Sequence, residues 1–105
     1  MTIAQMADDL RTMASLVAEL GDCVISADST WNKSVSELHI SGPENLVEWA
    51  SKYEVALDWL PFNVEGCSNA WELYGYFNGV IKVFALATEE EHDRLLYGGA
   101  DNGQS

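Results

Sequence analysis

The residues with the most chemical capacity form a run, Glu89-Glu90-Glu91-His92-Asp93. Four carboxylates and an imidazole in five residues could hold a hard cation. Consecutive residues of a helix, however, point around the cylinder and do not converge. The first turn of a helix is also where carboxylates are favoured by the macrodipole. The run therefore predicts a helix start. Cys23, Cys67, His39 and His92 could supply four zinc ligands, but no two stand at the C-x₂₋₄-C or H-x₃₋₅-H spacing of a structural site. A Cys–His nucleophilic pair has four combinations and no oxyanion signal to select one. Asp58 and Glu72 could act as an acid/base pair if their strands were neighbours, yet so could most pairs among seventeen acids. There is no P-loop, G-x-G-x-x-G or G-x-S-x-G sequence. The expectation is a protein that is not an enzyme, with no catalytic residue, no metal and no cofactor.

Charge is the outstanding compositional fact. Seventeen acids against five bases give a net charge of −12. Arg11, Lys33, Lys52, Lys82 and Arg94 are scattered along the chain. Phosphate backbones and anionic membranes need clustered cations, so neither nucleic acid nor a membrane is an expected direct partner. An acidic surface favours fast, salt-sensitive encounter with a basic protein, or serves solubility alone.

A chain of 105 residues is sized for one domain that folds without staples. No apolar run is long enough to span a bilayer. The start, MTIAQMADDLRTMASL, has acids where a secretory signal needs bases. A cytoplasmic location and two free thiols are expected.

The first helix should start at Thr2, which stands in capping-box spacing with Gln5. Ile3, Met6, Leu10, Met13, Val17 and Leu20 then form an apolar seam, with Asp8 and Asp9 toward solvent and Gly21 as C-cap. The seam packs on a sheet or pairs two copies of the chain. Residues 23–41 read as a hairpin turning at Asn32-Lys33, with Ile25 opposite Ile40 and Ala27 opposite Leu38. This register sets Asp28 against Glu37, a like-charge pair. It puts Trp31 at the tip, where it is a contact anchor or a sign of a misplaced turn. A second helix opens at Pro43, capped by a Ser41/Glu44 box, pairs Glu48 with Lys52 and stops near Tyr53. A strand follows over 55–60, ending at Pro61, and residues 62–69 read as a loop. Strand, helix, strand is the order of a crossover unit.

Ala70 to Ala87 is the strongest fold signal. Asn78-Gly79 tolerates the positive φ angles of a two-residue type I′ turn. That turn pairs Tyr76 with Ile81 and Leu73 with Phe84. One face then holds Trp71, Leu73, Phe77, Val80, Phe84 and Leu86, interrupted by Gly75 and Lys82. The other holds Glu72, Tyr74, Tyr76, Ile81 and Val83. Either a helix covers this second face, or Tyr74 and Tyr76 belong to a partner surface. Thr88 and Glu91 cap a third short helix, Glu90 pairs with Arg94, and Gly98-Gly99 end it.

The element order α-β-β-α-β-β-β-α predicts one α+β domain over residues 1–97. It has a mixed, mostly antiparallel sheet of about five strands, helices packed against it and a flexible tail over 98–105. Small size, acidity, abundant aromatics and no catalytic constellation resemble, in composition only, small acidic inhibitor proteins of the DNA-mimic and phage anti-defence types. That resemblance implies a module engaging a basic, nucleic-acid-binding protein. Its expected contact residues are Trp31, Asp58, Glu72, Tyr74, Tyr76, Glu89 and Glu90. The alternatives are a homodimeric structural or assembly subunit and a small enzyme or metal-binding protein.

Overall fold

The computed structural model describes the backbone of residues 2–30, 33–64 and 67–104, and the side chains of these except 62–64, 67–69 and 97–104. The expected order is present. Helix α1 (Ile3–Leu20) and a short 3₁₀ turn (Gly21–Cys23) lead into strands β1 (Val24–Asp28) and β2 (Ser36–Ile40). Helix α2 (Pro43–Tyr53) is followed by β3 (Asp58–Val64), β4 (Cys67–Phe77), β5 (Ile81–Thr88) and helix α3 (Glu89–Gln104). The strands form one sheet in the order β1-β2-β5-β4-β3, antiparallel except for β2 beside β5. Strands β2 and β3 thus run the same way with two strands between them, so α2 is a crossover inside one mixed sheet.

Thr2 caps α1 by accepting from the Gln5 amide at 3.1 Å, and Gly21 ends it at φ 64°. The buried side is Asp9, Met13 and Leu16, with Val17 and Leu20 packed beside them. Ile3 and Leu10 are exposed, so only the C-terminal half of the expected seam faces the sheet. Residues 3–8 bury nothing fully. Asp9, expected in solvent, is buried because Ser36, fully buried on β2, donates to its Oδ2 at 2.9 Å. Ser36 Oγ also bonds Ser29 Oγ at 2.8 Å, joining α1 to both ends of the β1–β2 loop. Trp31, expected at the tip of a hairpin, lies outside the described residues.

The β1–β2 register holds for Ala27–Leu38 and Asp28–Glu37 but shifts beyond Ser26. Ile25 bulges outward, and Val24 takes the place opposite Ile40. The like-charge pair is relieved by Lys33, whose Nζ lies 2.9 Å from Asp28 and 3.6 Å from Glu37. Helix α2 starts and stops as expected, but its N-cap is Gly42 without a side-chain bond, so the Ser41/Glu44 box does not form. Lys52 reaches across to Glu19 of α1 instead of Glu48, and Arg94 pairs with Glu44 instead of Glu90. The Thr88/Glu91 box is complete: Thr88 N donates to Glu91 at 3.0 Å and Glu91 N to Thr88 at 3.1 Å. Helix α3 continues past Gly98-Gly99, the expected stop.

Two corrections concern β3 to β5. The segment 55–57 is not part of a strand, and β3 runs on through Pro61 to Val64, pairing with β4 where a loop was expected. Residues 55–57 instead lie against Gly75. A Cβ there would sit 2.7 Å from the Ala56 carbonyl oxygen, so β4 needs glycine at this crossing. Pro61 is tolerated because β3 is an edge strand.

The second correction is the hairpin register. Asn78 and Gly79 have φ 55° and 74°, and Val80 N bonds the Phe77 carbonyl at 3.2 Å, as in a type I′ turn. Val80 does not then pair with Phe77. Its carbonyl accepts from Ser36 N at 3.1 Å, and the ladder starts at Phe77–Ile81. This one-residue slip turns every β5 side chain to the face opposite the expected one. Ile81, Val83, Ala85 and Ala87 join Trp71 and Leu73 on the covered side, while Lys82, Phe84 and Leu86 join Glu72, Tyr74 and Tyr76. Met13 and Leu16 of α1 and Leu46, Trp49 and Ala50 of α2 cluster with Leu38, Ile40, Leu73, Ile81, Val83 and Ala85 to form the core.

Candidate functional site

All three helices pack on the Leu38/Ile81/Leu73 side. His92 of α3 is buried there, stacked on Trp71 at 3.8 Å between ring centroids and edge-on to Trp59 at 4.7 Å. No described helix lies over the opposite side. Among the described residues, then, no helix covers the face of Tyr74 and Tyr76.

The registers lay that face out as three rungs across the strands. One reads Asp28, Glu37, Lys82, Tyr76. The next reads Ser26, His39, Phe84, Tyr74, Asp58, and the third Leu86, Glu72, Leu60. Its centre is aromatic. His39 stacks on Phe84 at 4.5 Å, and Tyr74 meets Tyr76 edge-on at 6.0 Å. Lys82 bonds Glu72 at 2.9 Å, with its ammonium 5.2 Å and 5.3 Å from the rings of Tyr74 and Phe84. Leu60 is 48% exposed, Tyr76 46% and Leu86 38%. Burial holds the His39 imidazole below its usual pKa, opposed by the nearby Glu72 carboxylate.

Of the residues expected to contact a partner, Asp58, Glu72, Tyr74 and Tyr76 come together on this face. Glu72 is a buried member of an ion pair and not a free surface acid. Glu89 and Glu90 are exposed in the first turn of α3, in the helical layer. Sequence reasoning missed Leu60, Lys82, Phe84, Leu86 and His39 as members of one surface. A signal was present: a lysine, Lys82, broke the supposed core face of β5, and shifting the register by one residue removes the conflict.

The helical layer differs in charge. Its helices carry Asp8, Asp9 and Glu19, then Glu44 and Glu48, then Glu89 to Glu91 and Asp93, with Asp22 and Glu54 at helix ends. With Asp101 further along α3 the acids number twelve, and against them stand Arg11, Lys52 and Arg94. The sheet has Asp28, Glu37, Asp58 and Glu72 against Lys82 and the loop residue Lys33, so four acids meet two bases. Each of the chain's five cations is engaged with an acid of the chain itself: Arg11 with Asp8, Lys33 with Asp28, Lys52 with Glu19, Lys82 with Glu72 and Arg94 with Glu44. Most of the negative charge is therefore uncompensated, and it lies on the outside of the helices.

A cleft of about 380 Å³ opens between α1 and α2, lined by Glu19, Leu20, Cys23, Asn45, Glu48, Trp49 and Lys52. Glu19 accepts from Lys52 and from the Tyr53 hydroxyl, which holds its carboxyl below the usual range and raises Lys52. A lysine nucleophile needs the opposite shift. The two histidines weighed as metal ligands are on opposite faces of the sheet, His39 on the bare one and His92 under α3. Cys67's side chain lies outside the described residues. Among the described residues, no three His, Cys, Asp or Glu side chains gather as a cation site, and no helix is long and apolar enough to cross a membrane. Comparison with protein-family models, curated proteins and solved structures gave no match to this chain.

Proposed function

We propose that the protein is a non-catalytic acidic binding module whose helical layer engages a basic protein. The reading extends to inhibition: a partner that binds nucleic acid would meet these acids with the surface it otherwise offers to phosphates. The carrying observation is that all five cations are engaged internally while acids accumulate on the outer side of α1 to α3. Glu89 and Glu90, exposed in the first turn of α3, are the two contact acids expected from sequence that belong to the helical layer. Such charges raise encounter rates and select partners by sign more than they add affinity.

The test is affinity capture from the native host at low and high salt, with wild-type protein and with Glu48→Gln/Glu89→Gln/Glu90→Gln. Exposed charges are screened beyond about 8 Å at physiological ionic strength. The expected result is a basic partner retained at low salt, released at high salt and held less well by the triple variant. Capture indifferent to both salt and neutralisation overturns the reading.

A further inference from the structure

We infer that the bare sheet face is a contact surface for a second copy of this chain. The observation is the unequal division of charge. A molecule carrying −12 repels its own kind, and the repulsion is smallest where the local charge is most nearly balanced. That place is the sheet face, where Glu72 is neutralised by Lys82 and Asp28 by Lys33. Leu60, Tyr76 and Leu86 are exposed there around a half-buried aromatic centre, without the surplus of acids that surrounds Ile3, Leu10, Val47, Tyr53 and Leu96, the large apolar side chains exposed on the helices. A basic partner has more to gain on the helical layer, so the two faces select different occupants. Packing two such faces about a two-fold axis makes an interface of one patch with itself, as closed dimers require. Two sheets meeting face to face stand about 10 Å apart, with side chains interdigitating. Both acidic layers then point outward, and the assembly presents two equivalent surfaces.

The size of the face sets the strength. Five strands about 4.8 Å apart and three rungs about 6.7 Å apart make a footprint of roughly 400 Å² in projection. A standard stable interface buries about 800 Å² on each side. The dimer is therefore weak and forms only at high protein concentration. Its salt dependence has the opposite sign to capture of a basic partner: screening weakens attraction between unlike surfaces and relieves repulsion between like ones. Failure of one reading is thus distinguishable from failure of the other.

Sedimentation equilibrium across about 5 μM to 1 mM protein, at low and high salt, tests this inference. The weight-average mass should climb from 11.6 kDa toward twice that value, and climb further at high salt. Leu86→Asp and Tyr76→Asp should remain monomeric throughout, while Glu89→Gln/Glu90→Gln should still associate. If a sheet variant fails to fold, the wild-type methyl spectrum gives the same answer: concentration-dependent shifts should fall on Leu60 and Leu86 and spare Ile3 and Leu10 of α1. A monomer at the highest concentration in high salt overturns the inference. So does a dimer that salt dissociates, that survives both aspartates, or whose shifts fall on α1.

Discussion

The two faces of the sheet are built from alternate residues of the same strands, yet they meet different worlds. On one, Leu38, Ile81, Val83 and Leu73 lie under α1 and α2, and Trp71 is covered by His92 of α3. On the other, Phe84, Tyr74, Tyr76, Leu86 and Leu60 have no helix over them. The covering helices carry most of the acid, whereas exposed large apolar side chains occur on both sides: Leu60, Tyr76 and Leu86 on the sheet face, and Ile3, Leu10, Val47, Tyr53 and Leu96 on the helices. A net charge of −12 is therefore a property of one side more than of the whole. The residues that would draw a basic partner are not those that would anchor an apolar contact.

The sharpest way to break this contrast is to truncate neighbours in β5. Ile81→Ala, on the covered face, should cost about 2–5 kcal/mol in denaturant unfolding. Leu86→Ala, on the bare face, should cost less than about 1 kcal/mol. Reversed costs would mean that the strand has slipped by one residue and that the faces are misassigned. Gly75→Ala probes how β4 passes beneath residues 55–57. Its methyl would meet the Ala56 carbonyl, and a destabilisation of about 1–3 kcal/mol is expected by the same unfolding measurement.

Ser36→Ala tests the buried tie between the layers. It leaves the Asp9 carboxylate buried without its donor, at a cost of about 1–3 kcal/mol. Because replacing both members by apolar groups avoids an orphaned charge, Asp9→Leu/Ser36→Ala should cost less than the sum of its single changes. Full additivity would show that the pair does not act as a unit. The smallest expected effect concerns pH. His39 is held below its ordinary pKa by burial, so the unfolded chain takes up its proton first as pH falls. Its contribution is full above pH about 6.5 and is lost as pH falls from there through the folded value. His39→Phe should flatten that part of the stability profile. Glu19, held low by Lys52 and Tyr53, acts in a more acidic window, with its contribution lost as pH falls from the usual carboxylate range through the folded value. Unfolding curves of Glu19→Gln and His39→Phe across pH would separate the two.

Much of the fold was legible from local signals. Thr2, Thr88 and Pro43 mark helix starts because capping and proline preferences act within one turn, and Asn78-Gly79 marks its turn for the same reason. What was not legible depends on partners distant in sequence. Val80 slips the hairpin because its carbonyl serves Ser36, more than forty residues earlier. Asp9 is buried because Ser36 reaches it across the layers. Lys52 and Arg94 leave their expected helical neighbours for acids on other helices. The candidate surface was half legible for the same reason. Tyr74, Tyr76, Asp58 and Glu72 were singled out, but Phe84, Leu86 and Lys82 changed sides with the register.

A neutral paramagnetic relaxation agent added to dilute, low-salt protein, read on the methyl and aromatic resonances, tests the central contrast most directly. Strong broadening of Leu60, Leu86 and Tyr76 is expected, with Ile81, Val83, Leu38 and Leu73 protected. Protection of Leu86 and Leu60 together with broadening of Ile81 and Val83 would contradict it.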